Sequence, residues 1–250
     1  MSLLAALNQR LQNLPAGHLD PVDVAVVDSG VDATHPDLAG RVVRAVRVDD
    51  IGADCRIVEG PVPQNADVYG HGTAVASIIT SLAPNARIID IRVLNAQNVG
   101  SGQALLAGFR YAVEQKIRVI NMSLAARSEF AAPLNALCER AYVRNQLVVA
   151  ARRNMPLADE GFPAEFSSCI SVDVGRFGSA FDVRFREDHV IEFVGHGEEV
   201  EVAVPGGGHT RRTGTSLATP AVTGLCTLLV GAFPGLRPFD VKSLLRAFSQ

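Results

Sequence analysis

Several residue types that mark specialised classes of protein are scarce in this chain of 250 residues. It has no Trp and only 2 Lys, and its net charge of −3 gives no strong field toward nucleic acids or membranes. The apolar run from Ala221 to Phe233 is too short to cross a membrane. With 48% hydrophobic and 20% charged residues, the composition predicts a soluble globular protein with neither a nucleic-acid nor a membrane partner.

Metal-binding patterns are also missing. The four cysteines, at positions 55, 138, 169 and 226, include no CxxC pair, which argues against both a zinc cage and a disulfide framework. The six histidines contain no HExxH arrangement of the kind that zinc peptidases use. We therefore predict that the protein has no metal site and no cofactor.

Short apolar runs alternate with helical segments along most of the chain. The run VDVAVVD, from Val22 to Asp28, is unbroken enough for a strand buried on both faces. The alternation predicts an α/β fold of three layers, a mostly parallel β-sheet with helices on both faces. A small antiparallel patch is expected between residues 175 and 204. Because no linker or repeat interrupts the pattern, we expect a single domain over residues 1–250, with residues 1–20 as an N-terminal helical extension.

Three segments carry candidate functional residues. Asp28 follows a buried strand, where sites gather in parallel sheets, although a turn or cap role would also suit it. His71 lies between two glycines at a predicted helix start and could equally be a capping or buried histidine. Ser216 opens a long apolar helix whose N-terminus stabilises negative charge, but an ordinary N-cap serine fits as well.

Taken together, the segments DSGVDATHPDL, GHGTAVASII and GTSLATPAVTG resemble the three active-site motifs of the subtilisin-like serine peptidases. The Asp, His, Ser order is the known signature of that family. INMSLA and LVVAARRN, between the second and third motifs, also resemble family segments. The resemblance covers roughly residues 22–229 and implies a subtilisin-like fold. An α/β-hydrolase needs a His after its Ser, and none follows Ser216.

The resemblance implies a role for each site residue of a serine endopeptidase. Ser216 is expected to be the nucleophile, His71 the general base, and Asp28 the residue that orients and stabilises His71. Asn154 is expected to stabilise the oxyanion together with the backbone N–H of Ser216. Housekeeping degradation and dedicated processing of one precursor both fit this activity.

Two further segments resemble the family's substrate-binding strands. Gly100, Ser101 and Gly102 match one of them, and Ser123, Leu124 and Ala125 match the other. By resemblance, a peptide or protein substrate binds between them as an extended strand, with main-chain pairing that tolerates many sequences.

Arg152 and Arg153 stand where the family usually has small residues before Asn154. One hypothesis is that Arg152 binds the substrate and selects an acidic side chain. The alternative is that Arg153 strains the oxyanion site and leaves a catalytically impaired peptide-binding pseudoprotease.

The resemblance also leads to expectations about calcium binding and about the cellular location of the protein. The segment GTAVASIITSLAPNARI lacks the acidic insertion that forms a calcium site in many family members, so we predict that site to be absent. MSLLAALNQRLQNL has helical spacing rather than the pattern of a signal peptide, and no pro-domain is seen. A cytoplasmic protein is therefore expected; a secreted mature form or a domain excised from a longer protein are the alternatives.

Overall fold

Nine of the strands in the described residues form one sheet, and two more form a separate hairpin. The structure is a computed structural model that describes residues 19–51, 54–62, 64–154 and 161–249. The predicted N-terminal extension lies almost wholly outside these residues. The strands are β1 (Val22–Asp28), β2 (Val42–Ile51), β3 (Asp54–Gly60), β4 (Ala86–Arg92), β5 (Val119–Met122), β6 (Leu147–Ala151), β7 (Ile170–Gly175), β8 (Val183–Phe185), β9 (Phe193–His196), β10 (Val200–Ala203) and β11 (His209–Arg212).

The sheet has the strand order β3-β2-β4-β1-β5-β6-β7-β9-β8. All neighbours from β2 to β9 pair in parallel, and only the two outer strands, β3 and β8, are antiparallel. The prediction of a mostly parallel sheet is therefore confirmed. Its central strands are short apolar runs that bury both faces, as parallel strands usually do.

Helices cover both faces of the sheet, as predicted. They are α1 (His71–Leu82), α2 (Gly102–Glu114), α3 (Ala131–Val143), α4 (Thr215–Ala232) and α5 (Pro238–Phe248). Helices α1, α4 and α5 pack on the face that carries Val24 and Val26. Helices α2 and α3 pack on the opposite face, with Ala25 and Val27. The alternation of side chains along β1 thus divides the core into two apolar layers.

Two regions differ from the sequence prediction. The hairpin β2–β3 was not predicted, and its first strand includes Asp49 and Asp50. In the expected antiparallel patch, β9 pairs with β8 in antiparallel fashion but joins the main sheet parallel to β7. β10 pairs with β11, which extends beyond the predicted range to Arg212.

Helix α4 is, among the described helices, the one whose length and composition would suit a membrane span, but 89% of it is buried inside the fold. It packs against α1 and against the central strands β5, β6 and β7. Its apolar character on all sides is explained by this position in the core.

The direction in which strands are added to the sheet reverses at β1. Strands β2, β3 and β4 lie on one side of β1, and the chain then crosses to β5 on the other side. Ligands bind at such a switch point, at the carboxyl ends of the strands. Asp28 ends β1, Ser123 follows β5, and Asn154 follows β6. The fold therefore brings three of the predicted site residues to one edge of the sheet.

Candidate active site

Asp28 and His71 form a close pair at the carboxyl end of β1. Nδ1 of His71 lies 2.6 Å from Oδ1 of Asp28, and the Asp28 side chain is fully buried. The backbone N–H of Ser29 donates to the same carboxylate oxygen at 2.8 Å. Because Nδ1 carries the proton of this hydrogen bond, Nε2 is left as the acceptor of the ring, which is the tautomer that a general base requires.

A glycine makes this pairing possible. A Cβ atom on Gly72 would collide with the carbonyl oxygen of Gly30 and would approach Cβ of Asp28 to 3.2 Å. Only a residue without a side chain lets the start of α1 come this close to the loop after β1. The start of α1 and the loop after β1 are therefore in direct contact at Gly72.

Asp67, which sequence reasoning missed, organises the segment before His71. Its carboxylate accepts hydrogen bonds from Ser29 Oγ (2.9 Å), Gly70 N (2.8 Å), Thr73 N (2.8 Å) and Thr73 Oγ1 (2.6 Å). Two of these donors are backbone groups at the start of α1, where N–H groups lack helical partners. Asp67 thus joins the loop after Asp28 to the helix that begins at His71.

The environment of His71 shifts its titration. Burial disfavours the charged imidazolium, whereas the charge and the hydrogen bond of Asp28 favour it. The carboxylate of Asp67 acts in the same direction as Asp28, and the guanidinium of Arg212 opposes both. The net effect raises the pKa of His71 above its usual value of 6.5.

Ser216 is the second residue of α4 and is partly exposed. Gly214 caps the helix without a side-chain hydrogen bond, so the ordinary N-cap role is not taken by Ser216. Helix α4 packs against α1, which begins at His71. The hydroxyl of Ser216 therefore stands at the start of a helix, where the free N–H groups favour a developing negative charge.

A buried polar chain fixes the backbone of Ser216. The hydroxyl of Ser123 donates to the carbonyl oxygen of Ser216 at 2.9 Å and accepts from Asn121 Nδ2 at 3.0 Å. The hydroxyl of Thr223, two turns along α4, lies 2.8 Å from Asn121 Oδ1 and 2.9 Å from the carbonyl oxygen of Thr219, and these two acceptors share its one proton. Ser123 is predicted to bind substrate, but in the structure its hydroxyl is hydrogen-bonded to the backbone of Ser216.

Asn154 is exposed and lies beside the start of α4. Its Oδ1 accepts from Thr215 Oγ1 at 2.8 Å and from Thr215 N at 3.3 Å. Because the oxygen is held in this way, the amide nitrogen points elsewhere and stays available as a donor. Arg153 has no positive φ, so the backbone strain expected from an arginine in place of glycine is absent there.

Arg152 is bound to a buried carboxylate. Its Nη1 lies 2.7 Å from Oδ2 of Asp173, and Nη1 of Arg186 lies 2.7 Å from the same oxygen. Burial would raise the pKa of Asp173, but the backbone N–H of Val174 and the two arginines hold it below its usual value. Asp173 therefore balances the positive charge of Arg152 only in part, because Arg186 shares the same carboxylate oxygen.

The two predicted substrate-binding segments line one cavity. This cavity, of about 280 Å³, has Gly100, Ser101 and Gly102 on one wall and Leu124 and Ala125 on the other. Leu94, Leu105 and Phe130 add apolar surface. The side chain of Ser101 caps α2 by accepting from Ala104 N at 3.0 Å, which fixes this wall.

One group of potential metal ligands occurs among the described residues, made of His35, Asp37 and His209. Nδ1 of His35 accepts from Asp37 N at 3.2 Å, and its Nε2 lies 3.0 Å from the carbonyl oxygen of Gly208. His209 Nε2 is bonded to Asp37 at 2.8 Å. Because both ring nitrogens of His35 are engaged, this cluster joins the segment after β1 to the start of β11 by hydrogen bonds and does not present an open metal site.

Comparisons with known proteins identify the family of this chain. The sequence profile of the subtilase family matches residues 20–248. The major intracellular serine protease of Bacillus subtilis (strain 168) is 34% identical over 92% of this chain and 72% of that protein. The intracellular serine protease of Paenibacillus polymyxa is 33% identical over 83% of this chain and 66% of that protein.

Solved structures show the same fold. The chain superposes on sphericase with a TM-score of 0.75, at 23% identity over 91% of this chain and 82% of that one. A cold-adapted subtilisin-like serine proteinase gives a TM-score of 0.72 at 25% identity. The chain belongs to the subtilase family and is a subtilisin-like serine endopeptidase that acts on peptide or protein substrates.

Proposed function

We propose that Asp28, His71 and Ser216 are the catalytic triad of this endopeptidase. The observation that carries the proposal is the 2.6 Å contact between His71 Nδ1 and the fully buried carboxylate of Asp28. This contact fixes the ring and leaves Nε2 to take the proton of Ser216 as its Oγ attacks the scissile carbonyl. Without such a base a serine hydroxyl is a weak nucleophile.

The tetrahedral intermediate then places a negative charge on the former carbonyl oxygen. The side-chain amide of Asn154 and the backbone N–H of Ser216 would donate hydrogen bonds to it. His71 returns its proton to the leaving amine, and a water molecule hydrolyses the acyl-enzyme by the same steps. The hold of Thr215 on Asn154 Oδ1 supports this role, because it orients the amide nitrogen in advance.

The cavity between Gly100–Gly102 and Leu124–Ala125 is proposed to bind the substrate as an extended strand. Ser123 would contribute by fixing the backbone beside Ser216. Arg152 stays a predicted substrate-binding residue, although its pairing with Asp173 weakens the field it can offer. The pseudoprotease alternative receives no support from the φ angle of Arg153, which is not positive.

Two finer proposals concern the biological setting. We place the enzyme in the cytoplasm, since the two relatives described above are named intracellular serine proteases. Cell fractionation followed by immunoblotting tests this location. Cleavage at one or a few sites in a cell-extract proteome would mark a dedicated processing enzyme, whereas cleavage at many sites would mark general degradation.

A fluorophosphonate probe tests the triad directly. We expect it to label Ser216 in intact protein, as mapped by peptide mass spectrometry, and to abolish peptide hydrolysis. Ser216→Ala should lower kcat by about 10⁶-fold, the loss found when the same residue is removed from subtilisin. The control, Ser81→Ala, changes an α1 serine that bonds only within its helix and should keep both labelling and activity. Labelling at another serine, or activity that survives Ser216→Ala, contradicts the assignment.

A further inference from the structure

Besides Asp28 and Asp67, a third carboxyl group, that of Asp90, is buried near the candidate triad. Asp90 lies in β4 and is 1% exposed. It pairs in register with Val26, two residues before Asp28 on the adjacent strand β1. Because residues two apart on a strand point to the same face, Asp90 and Asp28 share the face that α1 and α4 cover. Its neighbours Val24, Val26 and Ile88 on this face are apolar core residues.

The hydrogen bonds of Asp90 reach both segments that carry the proposed triad. Its Oδ2 accepts from the backbone N–H of Val31 at 3.2 Å and from Asn65 Nδ2 at 2.9 Å. Val31 lies three residues after Asp28, and Asn65 lies six residues before His71. Asn65 Nδ2 also donates to the carbonyl oxygen of Val46 at 2.9 Å, so its position is fixed by β2 as well.

The buried side chains around Asp90 have more acceptor oxygens than hydrogen-bond donors to pair with them. Among the described residues, three of its buried oxygens have no hydrogen-bond partner: Asp28 Oδ2, Asn65 Oδ1 and Asp90 Oδ1. An ionised Asp90 is an acceptor only, whereas a protonated Asp90 turns Oδ1 into a donor. Asp67, by contrast, has four donors for its negative charge.

The surrounding charges also disfavour ionisation of Asp90. Burial raises the pKa of Asp90 well above 3.8, the charges of Asp67 and Asp28 add to this effect, and the bonds from Asn65 and Val31 oppose it. The cations nearest in register are Arg92, two residues further along β4, and Arg47, opposite Arg92 on β2. Arg47 is held by Asp49 at 2.5 Å, and His71 is held by Asp28.

We propose that Asp90 is a neutral carboxylic acid in the folded enzyme and a positioning residue that joins the loop after Asp28 to the segment before His71. The proposal rests on the proposed roles of Asp28 and His71. A neutral acid supplies the bridging hydrogen bonds without placing a third negative charge beside the Asp28–His71 pair. It touches no substrate and acts only through the geometry of that pair.

Kinetics of Asp90→Asn and Asp90→Ala test the positioning role. Asparagine keeps an acceptor for Val31 and Asn65 and gains a donor, so kcat should stay within about threefold of the wild type. Alanine removes both bonds, and kcat should fall about tenfold or more with little change in KM. Ile88→Ala is the matched control, because it opens the same face of β4 without touching a hydrogen bond; it should lower Tm but not kcat. Equal losses of kcat in Asp90→Asn and Asp90→Ala would overturn the proposal.

The protonation state has a test that needs no activity. Tm is measured as a function of pH for two inactive proteins: the Ser216→Ala variant, which keeps Asp90, and the same variant with Asp90→Asn added. If the pKa of Asp90 is higher in the folded than in the unfolded protein, the free energy of unfolding falls as the pH rises from about 4, the unfolded pKa. The fall ends once the pH exceeds the folded pKa. The advantage of Asp90→Asn should therefore grow with pH across this window. The infrared spectrum at neutral pH should show the carbonyl stretch of a protonated acid that Asp90→Asn removes.

A pH-independent Tm difference, or no protonated-acid band, would overturn the neutral assignment. Failure of the fluorophosphonate test would contradict the proposed triad. The thermal and infrared results would still show whether Asp90 is protonated, because they do not depend on activity. The two failures are thus distinguishable.

Discussion

The hydroxyl of Thr215 lies 2.8 Å from the side-chain oxygen of Asn154, and the backbone N–H of Thr215 reaches the same oxygen at 3.3 Å. The hydroxyl also lies 2.8 Å from the carbonyl oxygen of Arg152, so the two oxygens share its one proton, while the backbone N–H serves Asn154 alone. The first residue of α4 therefore holds the end of the loop that follows β6. This relationship fixes which way the Asn154 amide points before any substrate arrives, which is what electrostatic stabilisation of a transition state requires.

Removal of the Asn154 amide should act on the chemical step. We expect Asn154→Ala to lower kcat by about 10²–10³-fold with little change in KM, the range found for loss of one such donor in subtilisin. Steady-state kinetics on a peptide substrate measures both constants. A loss confined to KM would mean that Asn154 binds the ground state and does not serve the transition state.

The hold of Thr215 on Asn154 can be tested separately. Thr215→Val removes the hydroxyl and should lower kcat about tenfold, because the amide loses its orientation but not its donor. Thr219→Val is the matched control: its hydroxyl lies one turn later and bonds the carbonyl oxygen of Thr215. If both variants lose the same activity, the effect comes from α4 as a whole and not from Asn154.

The raised pKa of His71 predicts the pH profile. The base must be neutral to accept a proton, so kcat/KM should rise with pH with a midpoint above 6.5. The charge of Arg212 opposes protonation of His71, so Arg212→Ala should move that midpoint to still higher pH. Arg211, the next residue on β11, points to the opposite side of the strand and provides the control. An unchanged or lowered midpoint in Arg212→Ala would contradict this account.

The same shift has a consequence for stability. Because the folded-state pKa of His71 is raised, protonation of His71 favours the folded protein. This contribution is complete below the unfolded value of about 6.5 and disappears as the pH rises through the folded value. Replacing Asp28 by Asn removes the main partner of the imidazolium and should weaken this pH dependence of Tm.

Motifs at strand ends predicted much of the site. Asp28 was expected after a buried strand and His71 at a helix start, and both are found there, because local patterns determine such positions. The hairpin β2–β3 was missed because its polar residues interrupt the apolar pattern between residues 42 and 60. Long-range pairing, not local propensity, forms that hairpin.

The supporting residues could not be predicted for a related reason. Asp67 bonds to Ser29, 38 residues away, and Asp90 bonds to Val31, 59 residues away. The residues next to either aspartate in the sequence do not predict which distant group it binds. The same holds for Cys138 and Cys169, whose spacing suggested no pair but whose sulfur atoms lie 3.5 Å apart.

Calcium should not contribute to the stability of this protein. Helix α1 runs without interruption from His71 to Leu82, and β4 begins only four residues later at Ala86. A tight calcium site would add about 4 kcal/mol at a 1,000-fold excess of ion over Kd, which corresponds to roughly 10 °C in Tm for a chain of this size. We expect EDTA to leave Tm unchanged. A drop of several degrees that excess calcium reverses would show that a strong site exists elsewhere in the chain.

The arginines around Asp173 should bias the enzyme only weakly toward acidic peptides. Arg152 and Arg186 share one buried carboxylate, so the group carries one net positive charge at a partly exposed position. Ion pairs at such positions contribute about 0–1 kcal/mol and are screened by salt. A peptide library should therefore show at most about a fivefold enrichment of Asp or Glu on the acyl side of the scissile bond, and the enrichment should decrease with added salt.

Two variants decide whether Arg152 causes this bias. Arg152→Ala should flatten the acidic preference and also lower Tm, because Asp173 loses one of its two cationic partners. Arg186→Ala removes the other partner of the same carboxylate and is the matched control for the stability effect. If both variants lower Tm alike and the library keeps its preference in Arg152→Ala, Arg152 is a structural partner of Asp173 and does not bind substrate. If only Arg152→Ala changes the preference, the guanidinium of Arg152 acts on the substrate despite its pairing with Asp173.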